Sequence, residues 1–364
     1  MKNPFDIQIV DASLTFLPVE TRVPLKFGSE VLTSVTCARA SVQVEKKNGQ
    51  SGKGWGETPL SVQWVWPSSI PYEDRHSALQ GFSEILVKKC KSHSGYGHAL
   101  ELGYSFVFEK LPIFLQEFNQ VERRGLEPMP WLAALVCASA FDLALHDAYG
   151  VANELPVYQS YNSTYLNVDL RHFLEPKKGS TISFEAKTPF DFIELTPPAK
   201  IPVWHLVGGL DPLCEKECIG DEPKDGYPVH LREWIERDGL NCLKIKLRGN
   251  DSKWDYERLI AIGKIAGEMD VEHLTTDFNC TVTDPNYVNQ ILDQLKVDHH
   301  EMWDKILYVE QPFPYDLEKH RIDVHSLSQR KPLFMDESAH DWKHVRLGLE
   351  LGWTGVALKT CKTQ

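Results

Sequence analysis

Residues 243–250 read LKIKLRGN. In a β-strand successive side chains alternate faces, so Lys244 and Lys246 share one face while Leu243, Ile245 and Leu247 share the other. Two adjacent ammonium groups repel, and burying either is costly unless a negative group answers it. An isolated K-x-K is more often a solvated strand face. The reading therefore turns on whether the rest of the chain supplies counter-charge.

The stretch is one of six short apolar runs, IPVWHLVGG (201–209), CLKIKLRG (242–249), HLTTDFNC (273–280), ILYVEQPF (306–313), PLFMDES (332–338) and GVALKTC (355–361). Between them lie segments such as KWDYERLIAIGKIAGEM and PNYVNQILDQLKVD, whose apolar residues recur at helical i, i+3, i+4 spacing. Strand and helix alternating in this way predict βα units and a parallel sheet. Six successive units favour a (β/α) barrel over an open doubly wound sheet, and no G-x-G-x-x-G opens any of the helices.

The strand ends carry the chemistry. Lys246, Asp277, Glu310, Asp336 and Lys359 follow one another at spacings of 31, 33, 26 and 23 residues, each about one βα unit. In a parallel barrel all strand C-termini share one rim, the rim on which barrel enzymes place their active sites. A single acidic residue at a strand end is more often a helix N-cap. Three in register, flanked by lysines on the strands before and after, predict a joint site. Three converging carboxylates need a cation, because like charges raise one another's pKa. Oxygen ligands without His or Cys suit a hard divalent ion, and Mg²⁺ is the expected one at Asp277, Glu310 and Asp336. Lys246, nearer the strand end, is then the better base, its pKa lowered by the ion and by Lys244. Lys244 tunes its neighbour or holds a substrate carboxylate, and Lys359 reaches the opposite face of a bound substrate.

The whole chain fits this picture. Its 364 residues allow two domains, and 42% hydrophobic with 25% charged residues is ordinary for a globular protein. A formal charge of −12 argues against a nucleic-acid surface. The N-terminus has no apolar signal-peptide core, and no window is expected to approach the length of apolar sequence that a membrane helix needs. Eight scattered cysteines, with only Cys214 and Cys218 close together, predict reduced thiols in a cytoplasmic protein. Residues 1 to about 60 predict a small antiparallel sheet. Asn48-Gly49 marks a hairpin turn and ETRVPLKFGSEVL a turn-rich loop. Helices are expected over about 72–92, 99–123 and 130–149, the last ending at Gly150. The domain reading is an α+β cap over 1–130, a linking helix and insertion over 131–200, and barrel strands one to six over 201–364.

Strand-end K-x-K, D-x-N, E-Q-P, D-E-S and L-K-x-x-K, in this order, resemble the enolase superfamily, in its mandelate racemase/muconate lactonizing enzyme-like branch. GWGETP (54–59), FDLALHDAYG (141–150) and TRVPLKFG (21–28) look like that family's capping domain and first helix. The resemblance implies a modified (β/α)8-type TIM barrel with an N-terminal α+β capping domain, and Mg²⁺-assisted removal of the proton α to a carboxylate. Lys246 and Lys359 would face a small carboxylate substrate from opposite sides, and Asn279 and Glu337 would support the ligands. The product would be a racemised, epimerised or cycloisomerised acid. The resemblance also implies capping loops that contact substrate, with Arg22, Lys26, Trp64 and Trp66 as the residues concerned. Relatives often assemble through their caps, so a homo-oligomer is one expectation, with neither nucleic acid nor membrane as partner.

Two features depart from the family pattern. Residues 151–200 read as an insertion, and the sequence stops after the sixth strand, so the expectation is a barrel truncated there. An acid-sugar dehydratase of the same superfamily is the rival enzyme, with a His–Asp pair expected on later strands. A non-catalytic relic binding metal or a partner is the rival of another class, disfavoured by the intact lysines and carboxylates.

Overall fold

The structure, a computed structural model, describes residues 3–27, 30–194 and 196–362. The chain divides into two compact units, residues 1–19 with 35–198 and residues 20–34 with 199–364.

The first unit is built on three adjacent strands, β1 (Ile7–Phe27), β2 (Glu30–Lys46) and β3 (Ser51–Pro59). The Asn48-Gly49 turn joins β2 to β3, with Gly49 at φ +85°. β3 alternates strictly between exposed and buried residues, and its buried positions are Gly52, Gly54, Gly56 and Thr58. The helix Trp131–Ala152 lays Ala140, Ala144 and Ala148, spaced one turn apart, against them. A Cβ on Gly54 would fall 2.1 Å from the Ala148 nitrogen, and one on Gly56 would fall 2.1 Å from the Ala140 oxygen. Backbone thus meets backbone, and the Thr58 and Ser139 hydroxyls complete the seam at 2.6 Å.

This packing corrects two readings of the sequence. At 22 residues the helix Trp131–Ala152 is long and apolar enough to cross a membrane, although the sequence reading named no such window. In this fold 72% of its most apolar stretch is buried, because the helix is the core of the first unit. It also runs past Gly150, whose role is close approach rather than termination: a Cβ there would meet the Leu155 oxygen at 2.9 Å. Residues 131–198, expected as a link and insertion, accordingly fall in the first unit, and beyond the helix they form short 3₁₀ turns.

A third reading is corrected at ETRVPLKFGSEVL. Gly28 lies outside the described residues, but the flanking sequence continues β1 and β2 rather than looping. Thr21, Val23, Leu25 and Phe27 keep the period of a strand through Pro24, and Thr21 Oγ1 donates to the Thr33 carbonyl at 3.0 Å. Residues 20–34 belong with the second unit.

The second unit carries the six expected strands, β4 (Trp204–Val207), β5 (Cys242–Lys246), β6 (His273–Asp277), β7 (Ile306–Glu310), β8 (Leu333–Met335) and β9 (Gly355–Val356). All neighbouring pairs are parallel, and spatial order equals chain order. Leu243, Ile245 and Leu247 are buried with helix residues Leu259, Ile262 and Leu292 in one apolar core. That burial holds one face of β5 and leaves its lysines to the other.

Candidate active site

Register brings the charged strand ends together. Lys246 is the partner of Asp277 across β5 and β6, and Asp277 is the partner of Glu310 across β6 and β7. Asp336 and Glu337 follow β8 directly, and Lys359 follows β9. Lys246 Nζ donates to Asp277 Oδ2 at 2.6 Å and to Asn279 Oδ1 at 3.0 Å. Lys244 Nζ bridges Glu310 Oε1 at 2.6 Å and Asp277 Oδ2 at 2.9 Å. Lys359 Nζ meets Asp336 Oδ2 at 2.5 Å. Asn279 reaches Glu337 Oε1 at 3.4 Å, tying β6 to the turn after β8. All four carboxylates are no more than 2% exposed.

Burial of so many like charges shapes their ionisation. Burial and the charge of Asp277 push Glu310 up to about 8, against the pull of Lys244. Burial, Asp336 and Asp277 push Glu337 up to about 7. Burial also disfavours charge on Asp277 and Asp336, but the lysines beside each hold both below the ordinary carboxylate range. Lys244 departs from the expectation of a lowered lysine. Burial pulls it down, yet Asp277, Glu310 and Asp336 outweigh burial and hold it above the usual ammonium range.

The donor set fits a hard divalent cation. Glu337 Oε2 is buried yet accepts no hydrogen bond among the described residues, and Asp336 Oδ1 has the Lys362 ammonium at 3.1 Å as its ion-pair partner. A surplus acceptor among carboxylates that burial pushes toward protonation is what a dication answers. Asp277, Glu310 and Asp336 could hold it, with Glu337 beside them.

Comparison with known proteins bears on the fold. Residues 227–363 match the family model described as enolase C-terminal domain-like. Over these residues the chain is similar to the enolase superfamily. The matched stretch holds β5 to β9 and the strand-end residues from Lys246 to Lys359. The fold is shared with a dipeptide epimerase from Cytophaga hutchinsonii complexed with Mg and D-Ala-L-Val, at TM-score 0.59 and 17% identity over 98% of this chain and 73% of that one. An N-succinyl Arg/Lys racemase from Bacillus cereus gives 0.57 and 17% over the same shares. A muconate lactonizing enzyme from Mycobacterium smegmatis complexed with muconolactone gives 0.55 and 17%, again over 98% and 73%. A shorter likeness, 30% identity over 104 residues, links 27% of this chain to 66% of a snaclec salmorin polypeptide from Gloydius brevicauda. The chain thus spans just under two thirds of that curated relative.

Two residues of the second unit escaped the sequence reading. Lys362 is 1% exposed, donates to the Asp336 backbone oxygen and lies 3.1 Å from Asp336 Oδ1. The second lysine of L-K-x-x-K was its visible signal. Gln311, the Q of E-Q-P, is fully buried at φ +33°. Its Oε1 accepts the Asp336 N–H at 2.8 Å and the Ser338 N–H at 3.2 Å, and its Nε2 donates to Ser338 Oγ and to the Phe313 carbonyl. Its amide therefore sets the turn that carries Asp336 and Glu337.

The expected substrate contacts fare differently. Arg22 is engaged bidentately with Asp225 at 2.6 and 2.7 Å and donates to the Pro228 carbonyl, so it ties residues 20–34 to the 225–228 loop. The Lys26 carbonyl accepts from Gly209 N at 2.9 Å, and the next ring, Phe27, lies 5.7 Å from Lys246 Nζ. Trp66 is 1% exposed, donates Nε1 to Glu127 at 2.7 Å and carries the Arg123 guanidinium over its ring, a packing role inside the first unit. Trp64 is half-buried in the first unit, on the short helix Val62–Val65.

Proposed function

We propose that this chain removes and returns the proton α to the carboxylate of a small acid, with Mg²⁺ held by Asp277, Glu310 and Asp336, so as to racemise or epimerise it. The observation that carries the reading is the pairing of Lys246 and Lys359 with different carboxylates of one buried cluster, from β5 and from beyond β9. Two ammonium or amine groups arriving from separated strands suit two faces of one carbon. When bound, the ion supplies Lewis-acid stabilisation of the negative charge that develops as the α-proton leaves.

Each residue has a task in this reading. Lys246, positioned by Asp277 and Asn279, takes or gives the proton on one face. Lys359, positioned by Asp336, serves the other. Lys244 stays protonated between Asp277 and Glu310 and offers fixed positive charge to the substrate carboxylate or the developing enolate. Lys362 neutralises Asp336 from behind. The barrel-type arrangement of the six parallel strands, and a cytoplasmic location for a protein whose eight cysteines are all free, belong to the same reading.

The substrate class is an amino-acid derivative with a free carboxylate, supported by relatives that are a dipeptide epimerase and an N-succinyl amino-acid racemase. A cycloisomerase is the second reading, supported by the muconate lactonizing relative. An inert relic gains nothing from four buried carboxylates facing four lysines, since buried ion pairs cost desolvation. Proton NMR of pooled carboxylates in D₂O with Mg²⁺ tests the proposal. Loss of an α-proton signal, abolished by EDTA, is the expected result, and retention of every α-proton across dipeptides and N-acyl amino acids contradicts it.

A further inference from the structure

A second constellation follows the same turn in the chain. His340, Asp341 and His344 bracket the start of the helix Trp342–Leu351, and one donor atom of each lies within 4.8 Å of the others. The two imidazoles approach to 4.2 Å between ring centres, and both residues are buried. His340 Nδ1 lies 2.9 Å from the Glu337 carbonyl, which can only accept, so Nδ1 carries the ring proton and Nε2 keeps its lone pair. That Nε2 lies 3.7 Å from Asp341 Oδ2. Asp341 Oδ1 caps the helix by accepting the His344 N–H at 2.8 Å, and Oδ2 turns toward the rings. His344 Nδ1 is 2.8 Å from that same Oδ2 and 2.9 Å from Oδ1, so it shares its proton between the two oxygens.

The geometry points to a binding site for a borderline transition-metal dication of the Zn²⁺ class, liganded by His340 Nε2, Asp341 Oδ2 and His344 Nδ1. Two imidazoles and one carboxylate are the donor type that such ions take and that Mg²⁺, which prefers oxygen, does not. His340 already has the outer partner that metal-bound histidines characteristically show, a carbonyl on the non-ligating nitrogen. His344, but neither His340 nor Asp341, borders a cavity of about 400 Å³ together with Glu318, Arg321, Lys343 and Arg346, from which water could reach an ion on His344 as fourth ligand. The negative Asp341 offsets the unfavourable helix-start field that a cation meets there.

From neutral rings, binding requires no net loss of protons. His344, which donates Nδ1–H to Asp341, takes its proton on Nε2 instead, and the ion replaces it on Nδ1. The ion would then link the turn after β8 to its helix, and through the His340–Glu337 bond it would brace the backbone of the proposed active site. This inference does not depend on the reaction proposed above.

The test is nitrogen-15 NMR of the histidine rings in the intact protein, titrated with Zn²⁺ in excess Mg²⁺ so that hard oxygen sites are supplied. Stoichiometric Zn²⁺ is expected to shift the His340 and His344 ring nitrogens and to move the His344 proton from Nδ1 to Nε2. Zn²⁺ affinity at these rings should fall at least the roughly tenfold that losing even an outer-shell partner costs, in both His340→Asn and His344→Gln. Two variants guard against a folding defect in either. Ring signals of the wild-type protein unmoved by stoichiometric Zn²⁺, or moved without the His344 tautomer change, would overturn the site.

Discussion

Lys246 and Asp277 are register partners on adjacent parallel strands, and their side chains meet at 2.6 Å. The same oxygen, Asp277 Oδ2, also receives Lys244 at 2.9 Å. One carboxylate therefore gathers both lysines of K-x-K, which answers the charge problem that residues 243–250 pose. Glu310 takes the other side of Lys244, and Asp336 repeats the arrangement with Lys359 and Lys362.

Asp336→Asn should weaken Mg²⁺ binding by more than the roughly 10–100-fold that losing an outer-shell partner costs, since it removes a direct ligand in the proposed site. Calorimetric titration measures this, and an unchanged Mg²⁺ isotherm would remove Asp336 from the ligand set. The variant also leaves Lys359 and Lys362 facing an uncharged amide, so some loss of stability should accompany it.

Gln311→Leu should cost roughly 1–3 kcal/mol of stability for each buried group it leaves without a partner. The Asp336 and Ser338 N–H groups both lose their acceptor. Because Gln311 positions Asp336 rather than touching substrate, the variant should lower both Mg²⁺ affinity and turnover. Urea unfolding and metal titration of the same preparation check it; destabilisation with normal Mg²⁺ affinity would make the role purely structural.

The strand-end pattern was legible because each functional residue ends an apolar run and the runs recur at βα spacing. Lys362 was harder to read: it follows a strand of only two residues, Gly355–Val356, so periodicity gave no hint of its direction. Gln311 acts through an amide that bonds two backbone groups 25 and 27 residues away, a relationship no local pattern encodes. ETRVPLKFGSEVL suggested a loop, yet β1 runs on to Phe27 and β2 begins at Glu30. Helix Trp131–Ala152 was placed as a link because its role depends on glycines more than 80 residues earlier in the chain.

That helix seam makes a stability prediction. Gly54→Ala would place a methyl 2.1 Å from the Ala148 nitrogen and should cost at least the roughly 1–3 kcal/mol of overpacking. Gly81→Ala, on the helix Tyr72–Lys91 with nothing within 4 Å of the added carbon, should instead stabilise by roughly 0.4–1 kcal/mol. Thermal unfolding of the pair checks the contrast, and similar shifts in both would argue against the backbone seam.

His98 should make the protein acid-sensitive. Its ring is buried, accepts the Leu100 N–H on Nδ1 and pairs Nε2 with Ser160 Oγ. Burial, aided by His146, pushes its pKa down to about 3. The folded value lies below the unfolded one, near 6.5, so its contribution is complete above pH 6.5 and declines from there down to about 3. The decline is about 1.4 kcal/mol per pH unit within that window. His98→Asn should flatten the stability profile between those limits, measured by denaturant unfolding at a series of pH values. An equally steep profile in the variant would show that other groups carry the acid sensitivity.

The central claim is that two lysines work opposite faces of one carbon, and stereospecific exchange tests it most directly. With a substrate identified, each pure stereoisomer is incubated in D₂O with Lys246→Ala or Lys359→Ala, and loss of its α-proton is followed by NMR. The account predicts that each variant fails to exchange one stereoisomer while still exchanging the other, with the two variants complementary. Equal loss on both stereoisomers in either variant would contradict the two-base arrangement.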